Sequence, residues 1–416
     1  MRPPPVYVTF RGTFLDMPGA VSGGDPVPAD GALPQSALAG AGSRPFGVYV
    51  HVPFCTTRCG YCDFNTYTAP ELGGGVSPKS YPALAVAEIG LARKVLGDKE
   101  MPVRTVFFGG GTPTLLAPGA FGEILRAIDS EFGLAPGAEV TAEANPESVT
   151  EASLAELRAQ GVTRMSFGMQ SAVPGVLAVL DRVHQPGRPL ACARWARAAG
   201  FEHVSLDLIY GTPGETDDDW RRSVAGAAGA EPDHVSAYAL TVEDGTRLAA
   251  RVRRGELTAP DDDVLAGRYL IADEMLGGAG YRWYEISNWA TSDAARCAHN
   301  MLYWTGGDWW GIGPGAHSHV GGTRWWNVRH PAAYGDRIGA GASPGQAREV
   351  LTANEIQLER VMLLIRLAEG CPLAVLDQPD AVPALVADGL VTVAGESVVL
   401  TRRGRLLADT VVRTLT

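Results

Sequence analysis

The chain has 416 residues, of which 46% are apolar and 19% charged, and 46 acidic against 35 basic side chains give a net charge of −11. This composition is typical of a globular protein of two or three domains, and the acidic balance argues against nucleic acid and allows at most a peripheral contact with a membrane. No stretch approaches the about 20 apolar residues of a membrane span or the core of a secretory signal, so we expect a cytoplasmic protein with reduced cysteines.

Residues 1–45 are rich in Pro, Gly and Ala and have no apolar periodicity. Such a segment buries too little apolar surface to offset its ordering entropy, which predicts a flexible N-terminal segment. Met17 lies within it, and we expect that the natural chain starts there, with residues 1–16 a misassigned start.

From Phe46 onward, six short β-rich runs alternate with helix-like stretches. The predicted strands are Gly47–Val52, Arg104–Phe108, Ala138–Ala142, Thr163–Phe167, His203–Ile209 and His234–Leu240. The predicted helices are Tyr81–Val95, Ala120–Phe132, Glu151–Gln160, Arg188–Ala199 and Asp217–Ala230. This alternation predicts an α/β fold with a parallel sheet over residues 46–258, and its chemistry should lie at the carboxyl ends of the strands.

The remainder divides into two further predicted regions. Residues 259–345 form a Trp-rich extension, since seven of the nine tryptophans lie between Trp283 and Trp326. Residues 346–416 are expected to fold as two helices, a short hairpin and a last helix, which is a winged-helix-like order. Because the chain is acidic, we interpret this module as a packing or partner surface and not as a DNA-binding one.

Three of the six cysteines, Cys55, Cys59 and Cys62, lie within eight residues directly after the first predicted strand. Three thiolates from one loop can bind a [4Fe–4S] cluster and leave one iron open for a small molecule. The alternative is a zinc loop that takes a distant fourth ligand such as Cys297 or His299, although its C-x3-C spacing fits zinc poorly.

The loop CTTRCGYC after a first strand resembles the signature of the radical S-adenosylmethionine (SAM) superfamily. That resemblance implies a partial (β/α)6 barrel and a [4Fe–4S] cluster whose open iron binds the amino and carboxylate groups of SAM. An electron from the cluster then cleaves SAM to methionine and a 5′-deoxyadenosyl radical. Two further motifs agree with it: the turn GGGTP, residues 109–113, after the second strand, and Glu143 after the third.

The segments YVHVPFC, GGGTPT, RMSFGMQS, DRVH and SLDLIYGTPGET resemble one subgroup, which contains oxygen-independent coproporphyrinogen III dehydrogenases and the HemW haem chaperones. The resemblance implies SAM contacts at Tyr49, Tyr61, Gly110, Gly111, Thr112, Glu143, Gln170, Arg182 and Asp207. The dehydrogenase holds two SAM molecules, so some of these positions match a second site. A polar network that closes the barrel mouth is the alternative interpretation of Gln170, Arg182 and Asp207.

Two features separate the subgroup's members. The dehydrogenase pattern has a fourth cysteine where this chain has Phe64, and its folded N-terminal segment is replaced here by low-complexity sequence. Residues 299–304, HNMLYW, match the H-N-x-x-Y-W motif associated with haem binding in the HemW group. The resemblance implies that His299 is the haem ligand, supported by Asn300, Tyr303 and Trp304.

Neighbouring aromatic and basic residues are further candidates for haem contacts. A wall against the porphyrin could come from Trp309, Trp310, Trp325 and Trp326, and a propionate partner from Arg324 or Arg329. His317 and His319 are alternative ligands, equally well interpreted as loop residues.

The leading hypothesis is a haem chaperone that binds haem and a SAM-liganded cluster and transfers haem to an acceptor protein. The acceptor and electron donor are unidentified, and a homodimer is compatible with the sequence. The alternative is a radical SAM enzyme of porphyrin biosynthesis that oxidatively decarboxylates coproporphyrinogen III. Phe64 and the HNMLYW segment argue against that activity, and no catalytic residue is certain; a radical SAM enzyme with another substrate is a third hypothesis.

Overall fold

The computed structural model describes residues 23–72 and 76–416. Residues 1–22, which include Met17 and half of the segment predicted to be flexible, lie outside the described residues. The described chain forms one large mixed sheet covered by helices and a small C-terminal module with its own sheet.

The large sheet has 13 strands within the described residues. They are β1 Asp25–Pro26, β2 Phe46–Val52, β3 Val103–Gly110, β4 Leu134–Ala144, β5 Arg164–Gln170, β6 His203–Tyr210, β7 His234–Ala239, β8 Arg282–Glu285, β9 Asn288–Ala290, β10 Asp308–Ile312, β11 His317–Val320, β12 Thr323–Asn327 and β13 Gly345–Val350. Their order is β1-β13-β12-β11-β10-β2-β3-β4-β5-β6-β7-β9-β8.

Strands β2 to β7 are parallel neighbours in chain order, which confirms the predicted α/β sheet. In the described chain the outer strands β1 and β8 do not pair with each other, so the sheet is open and not a closed barrel.

Fifteen α-helices accompany the sheets in the described residues. They are α1 Gln35–Gly40, α2 Tyr81–Leu96, α3 Pro118–Phe132, α4 Glu151–Ala159, α5 Pro174–Val179, α6 Arg188–Ala198, α7 Asp217–Gly229, α8 Arg247–Arg253, α9 Asp262–Gly278, α10 Ala298–Trp304, α11 Pro331–Gly339, α12 Ala353–Leu364, α13 Val382–Ala387, α14 Arg402–Leu406 and α15 Ala408–Leu415. None of the helices that the structure describes is long and apolar enough to cross a membrane.

The parallel strands bury one face under helices and leave the other face for function. Side chains alternate along a strand, so Val48, Val50 and Val52 of β2 enter the core while Tyr49 faces the other way. In the core, the ring of Phe108 packs at 4.6 Å from that of Phe121 on α3. The uncovered concave face is called the lumen below.

The prediction of a flexible segment is wrong for residues 23–45. Strand β1 pairs with β13, and α1 buries Ala37 completely. At Gly321 (φ +57°) a Cβ would lie 2.3 Å from the carbonyl oxygen of Ala37, so the absent side chain lets the β11–β12 turn close onto α1. Small residues here permit close packing, which composition alone does not distinguish from mobility.

The Trp-rich extension continues the same sheet. Strand β10 pairs with β2 in parallel, and β13 runs to Val350, past the boundary predicted at residue 345. Glu88 on α2 ties the extension to the parallel part of the sheet, since its carboxylate accepts hydrogen bonds from Gly313 N (2.7 Å), Asn327 Nδ2 (2.7 Å) and Tyr334 OH (2.6 Å). Burial raises the pKa of Glu88 to about 7, against which these three donors act.

The C-terminal module begins at α12 and follows the predicted order of helices and hairpin. Its sheet comprises β14 Cys371–Pro372, β15 Val391–Ala394 and β16 Ser397–Leu400. Its core, which includes Val361, Val398 and Val411, is separate from that of the large sheet. The predicted last helix is broken at Leu407 into α14 and α15.

We predict that Tyr334→Phe lowers the free energy of unfolding by about 1–2 kcal/mol, because Glu88 loses one of three donors inside the core. Urea unfolding followed by circular dichroism measures this. Asp336→Asn, an exposed change on the same helix, is the matched control and should change stability by less than about 0.5 kcal/mol. Equal midpoints for Tyr334→Phe and the wild type would contradict the role given to Glu88.

Candidate functional site

The three cysteines lie in the loop that leaves the carboxyl end of β2. The N–H of Cys55 donates to the carbonyl of Tyr67 at 3.0 Å, which closes the loop, and that of Cys62 donates to the carbonyl of Cys59 at 3.3 Å. All three thiols are free and partly exposed. Burial raises the pKa of Cys62 to about 12, against a backbone hydrogen bond from Phe64 and with a further contribution from the other two thiols. Three thiolates in this loop therefore need a positively charged centre.

The glycine turn after β3 fixes the start of the cysteine loop. Gly111 N donates to Val52 O and Thr112 N to Phe54 O, both at 2.8 Å. At Gly111 a Cβ would lie 2.5 Å from Phe54 O, and Gly110 has a φ of +106°. The turn needs glycine at both positions because the two backbones approach so closely.

A hydrogen-bonded chain links two of the cysteines across the strand ends. The hydroxyl of Thr112 donates to Cys55 Sγ (4.0 Å) and accepts from Asn145 Nδ2 (2.9 Å). Arg182 Nη1 donates to both Asn145 Oδ1 (2.8 Å) and Cys59 Sγ (3.4 Å). Asn145 was missed in the sequence, although it follows Glu143 in the segment EANP.

A cavity of about 240 Å³ lies beside this chain and is lined by Cys59, Thr112, Asn145 and Arg182. It opens at the carboxyl ends of the parallel strands, where the fold class predicts a site.

Two half-buried carboxylates face the lumen below the glycine turn. Glu143 accepts a hydrogen bond from Gly110 N at 3.2 Å, and Asp207 accepts one from the Ser166 hydroxyl at 2.8 Å. Burial, with a further contribution from Asp207, raises the pKa of Glu143 to about 8. The pair lacks enough donors for two full charges and so suits a ligand that brings hydroxyl or ammonium groups.

Gln170, at the end of β5, adopts the left-handed region with a φ of 60°. It is buried, and its Oε1 has no hydrogen-bond partner among the described residues; the same holds for Arg182 Nε. Strain and unpaired polar atoms at a strand end indicate a site for a polar ligand.

The two predicted tyrosines lie on different sides of the site. Tyr61 lies beside Cys59, and its pKa is raised by burial and by the charges of that cysteine. Tyr49 lies in the lumen, where its ring stacks on Phe107 at 6.2 Å.

These residues fit a cluster and SAM by their chemistry. The donor set is three thiols of one loop, and the unpaired amide, guanidinium and carboxylate groups around them match a ligand with ammonium, carboxylate and hydroxyl groups. In residues 23–72 and 76–416, no group of three His, Cys, Asp or Glu side chains has metal-binding geometry, and this includes the three thiols of the loop. Their role as cluster ligands therefore stays a prediction.

Neither of the residues considered as a fourth zinc ligand lies near the cysteine loop. Cys297 and His299 lie by Glu139 near the amino ends of the strands, where Cys297 Sγ is 3.6 Å and His299 N 3.1 Å from its Oε1. The cysteine loop lies at the opposite ends of those strands.

Helix α10 carries His299 into the lumen. The imidazole packs at 5.1 Å from the ring of Phe107, and its Nδ1 and Nε2 each lie 2.8 Å from a hydroxyl, of Thr105 and Tyr303 respectively. Only 1% of the residue is exposed, and burial lowers its pKa to about 3. The ring is thus neutral, but both nitrogens are engaged, and iron coordination here requires one bond to open.

A buried ion pair that sequence analysis missed anchors the start of α10. Arg164 donates to Glu139 (2.9 Å) and to the carbonyls of Ala295 (2.8 Å) and Arg296 (2.9 Å), and Glu139 accepts the N–H of His299. The contacts that Arg164 and Glu139 make with the segment at α10 join residues more than 100 positions apart, so no local pattern connects them.

The supporting residues of the motif point in different directions. Tyr303 meets Trp309 edge to face at 4.6 Å, within the lumen. Trp304 turns away and hydrogen-bonds Glu285, while Asn300 places its backbone against Cys297.

The expectation that four tryptophans form a wall against the porphyrin is wrong for two of them. Trp310 and Trp325 pack against each other at 4.7 Å inside the hydrophobic core, because their strand positions point away from the lumen. Arg324 is committed to Glu349 (2.9 Å) and Glu359 (2.7 Å), which removes it as a propionate partner.

Known proteins share this arrangement over most of the chain. Residues 49–225 match the model of the radical SAM superfamily. The chain is 55% identical to the haem chaperone HemW of Mycobacterium tuberculosis, over 91% of this chain and 96% of that protein. HemW of Bacillus subtilis is 31% identical, over 87% and 97% respectively. Among solved structures, coproporphyrinogen III oxidase (HemN) from Escherichia coli has a TM-score of 0.78 at 22% identity, over 93% of this chain and 94% of that one, which is a likeness of fold.

We predict that Glu143→Gln gains stability relative to the wild type as the pH rises. The folded carboxyl holds its proton up to a pKa of about 8, whereas in the unfolded chain it ionises near pH ~4.3. Between these two pKa values, rising pH therefore destabilises the SAM-free wild type and not the variant, by at most about 1.4 kcal/mol per pH unit. Thermal unfolding at pH 5, 7 and 8.5 measures the difference, and a difference that does not change with pH would contradict the assignment.

Proposed function

Because the chain belongs to the HemW family of the radical SAM superfamily, we propose that it is a haem chaperone, which binds haem and transfers it to an acceptor protein. The observation that carries the proposal is the extent of the similarity to a haem chaperone, which covers 91% of the chain and so goes well beyond the radical SAM domain.

In this proposal Cys55, Cys59 and Cys62 hold three irons of a [4Fe–4S] cluster, and the fourth iron is open to SAM. The cluster supplies one-electron chemistry when bound. The chain's own groups prepare the place: Arg182 donates to a cysteine sulfur and offsets thiolate charge, and Thr112 donates to another.

The position of each remaining residue expected near SAM suggests how it would contact the ligand. Gly110 and Gly111 let the turn approach the ligand closely, and Glu143, held by Gly110 N, accepts from ligand hydroxyls. Asp207, the strained Gln170, the Tyr49 ring in the lumen and the Tyr61 ring beside Cys59 complete the walls.

Haem is the cargo, and the HNMLYW segment remains the predicted place of its ligand. His299 is neutral, as an iron ligand must be. Its bond to Tyr303 would have to open, so occupation of this position couples haem binding to a movement of α10 or of the tyrosine ring.

Decarboxylation of coproporphyrinogen III is not supported by the residues at the cysteine loop. Phe64, at the position of the dehydrogenase's fourth cysteine, is 44% exposed and offers no ligand atom. The similarity to coproporphyrinogen III oxidase at 22% identity concerns the fold.

The thiol chemistry also favours a reducing compartment. Six free cysteines, three of them partly exposed in one loop, are stable where thiols are kept reduced, so we place the protein's action in the cytoplasm.

Replacing any one of Cys55, Cys59 and Cys62 with Ala should abolish the broad iron–sulfur absorption of anaerobically reconstituted protein. Iron and sulfide analysis provides a second measurement. Cys192→Ala, which removes a buried thiol from α6, is the matched control and should retain the full cluster. A full cluster in any of the three loop variants would refute the ligand assignment.

Haem titration of the reconstituted wild type, followed in the Soret region, tests the proposed function. We expect saturable one-to-one binding, then movement of haem to an added apoprotein such as apomyoglobin, with no turnover of coproporphyrinogen III in the presence of SAM. Absence of saturable binding, or production of decarboxylated porphyrinogen, would overturn the chaperone assignment.

A further inference from the structure

His317 differs from the other histidines in the freedom of its ring. All eight histidines lie in described residues, and His317 and His330 are the two that are exposed. His330 uses its Nδ1 to accept the N–H of Ala332 at 3.2 Å. Neither ring nitrogen of His317 has a hydrogen-bond partner within the part of the chain that the structure describes. His299, in contrast, has both nitrogens engaged.

The His317 ring is exposed at the start of β11, and the surface that it forms with Trp326 and Arg329 is called the recess below. The pKa of the ring is lowered to about 4, first by the surrounding protein and then by the charges of His51, Arg329 and Arg324. At neutral pH the ring is uncharged, which leaves a nitrogen lone pair available.

Aromatic rings flank His317 on the same face of the sheet. Trp326 lies opposite it on β12, with ring centroids 5.8 Å apart and planes inclined by 23°. Two residues along β11, His319 lies 5.2 Å from Trp309, which in turn meets Tyr303. The aromatic face therefore runs from His317 to the rings around His299.

A cation is also available at the recess. Arg329 is exposed, and it has no acidic partner among the described residues, unlike Arg324. The carbonyls of Arg329 and of Pro314, three residues before His317, accept from the same Asn65 amide, which places Arg329 near the start of β11.

The recess adjoins the cysteine loop. Asn65, three residues after Cys62, donates its amide to the carbonyls of Pro314 (3.0 Å) and Arg329 (2.8 Å). At Gly315, two residues before His317, a Cβ would lie 2.5 Å from this amide nitrogen. The loop that is proposed to hold the cluster and the recess at His317 are thus joined through one side chain.

From this geometry we propose that the recess of His317, Trp326 and Arg329 is a haem site, distinct from His299, in which His317 coordinates the iron. The proposal rests on the proposed function, since it takes haem as the cargo. One nitrogen of the neutral ring bonds to the iron and displaces water without losing a proton, Trp326 packs its edge on the macrocycle, and Arg329 pairs with a propionate.

The first test is a Soret titration of reconstituted full-length protein with haemin, comparing the wild type, His317→Ala, His299→Ala and His330→Ala. We expect His317→Ala to weaken haem binding by about tenfold or more and to shift the Soret band, and His330→Ala to match the wild type. Added imidazole should restore the wild-type band in His317→Ala, which a purely structural effect would not allow.

The outcomes separate this proposal from the proposed function. If His317→Ala binds haem with the affinity and spectrum of the wild type, the His317 site is refuted, whatever the His299 variant does. If both variants lose affinity, both histidines take part and the His317 site stands. If the wild type itself does not bind haem, it is the chaperone function that fails.

A second variant tests the propionate contact without touching the iron ligand. Arg329→Gln should weaken haem binding about fivefold and leave the Soret band unchanged, because a single ion pair is lost. The variant and the wild type should bind haem dimethyl ester equally, since the ester has no propionate charge. An unchanged affinity for haem in Arg329→Gln would remove Arg329 from the site.

Discussion

The alternation of side chains along the parallel strands is the constraint on which the site depends. Each strand from β2 to β7 sends every second residue into the helix-covered core, and the remaining positions form one continuous lumen. Tyr49, Phe107, Glu143 and Asp207 share that lumen although they lie up to 158 positions apart in the numbering, from 49 to 207. Helix α10 then needs only one anchoring pair, Arg164 and Glu139, to bring its histidine among them.

The lumen holds a well-paired ion pair near the amino ends of the strands and polar ligand-facing groups with fewer partners near the carboxyl ends. Near the amino ends of the strands, Arg164 is surrounded by acceptors and Glu139 by donors, so this end is fixed in one arrangement. Near the carboxyl ends, Glu143 and Gln170 keep unmet polar capacity. This division indicates a rigid base that positions a mouth built to receive ligands.

Sequence patterns located the six parallel strands and their helices because both depend on local periodicity and turn residues. Gly110 and Gly111 were found for the same reason, since a backbone requirement leaves its mark in the residue type. Hydrogen bonds between residues far apart in the chain left no such trace in the residue types. Examples are the bonds of Arg164 to Ala295 and of Tyr334 to Glu88. The facing of the tryptophans depended on the register of β10 and β12, so Trp310 and Trp325 entered the core against expectation. The order of α1 was hidden by its small residues.

The pairing of β10 with β2 has a consequence for synthesis of the chain. In the finished sheet β2 is a central strand, bonded on one side to β3 and on the other to residues 308–312. On the ribosome it is an edge strand until those residues emerge, more than 250 positions later, and Glu88 waits as long for Asn327 and Tyr334. The nascent sheet therefore exposes an unpaired, apolar strand edge for most of its translation. At about 5–20 residues per second, this interval lasts roughly ten seconds to a minute. During that interval, the strand that covers this edge in the finished fold has not yet been made.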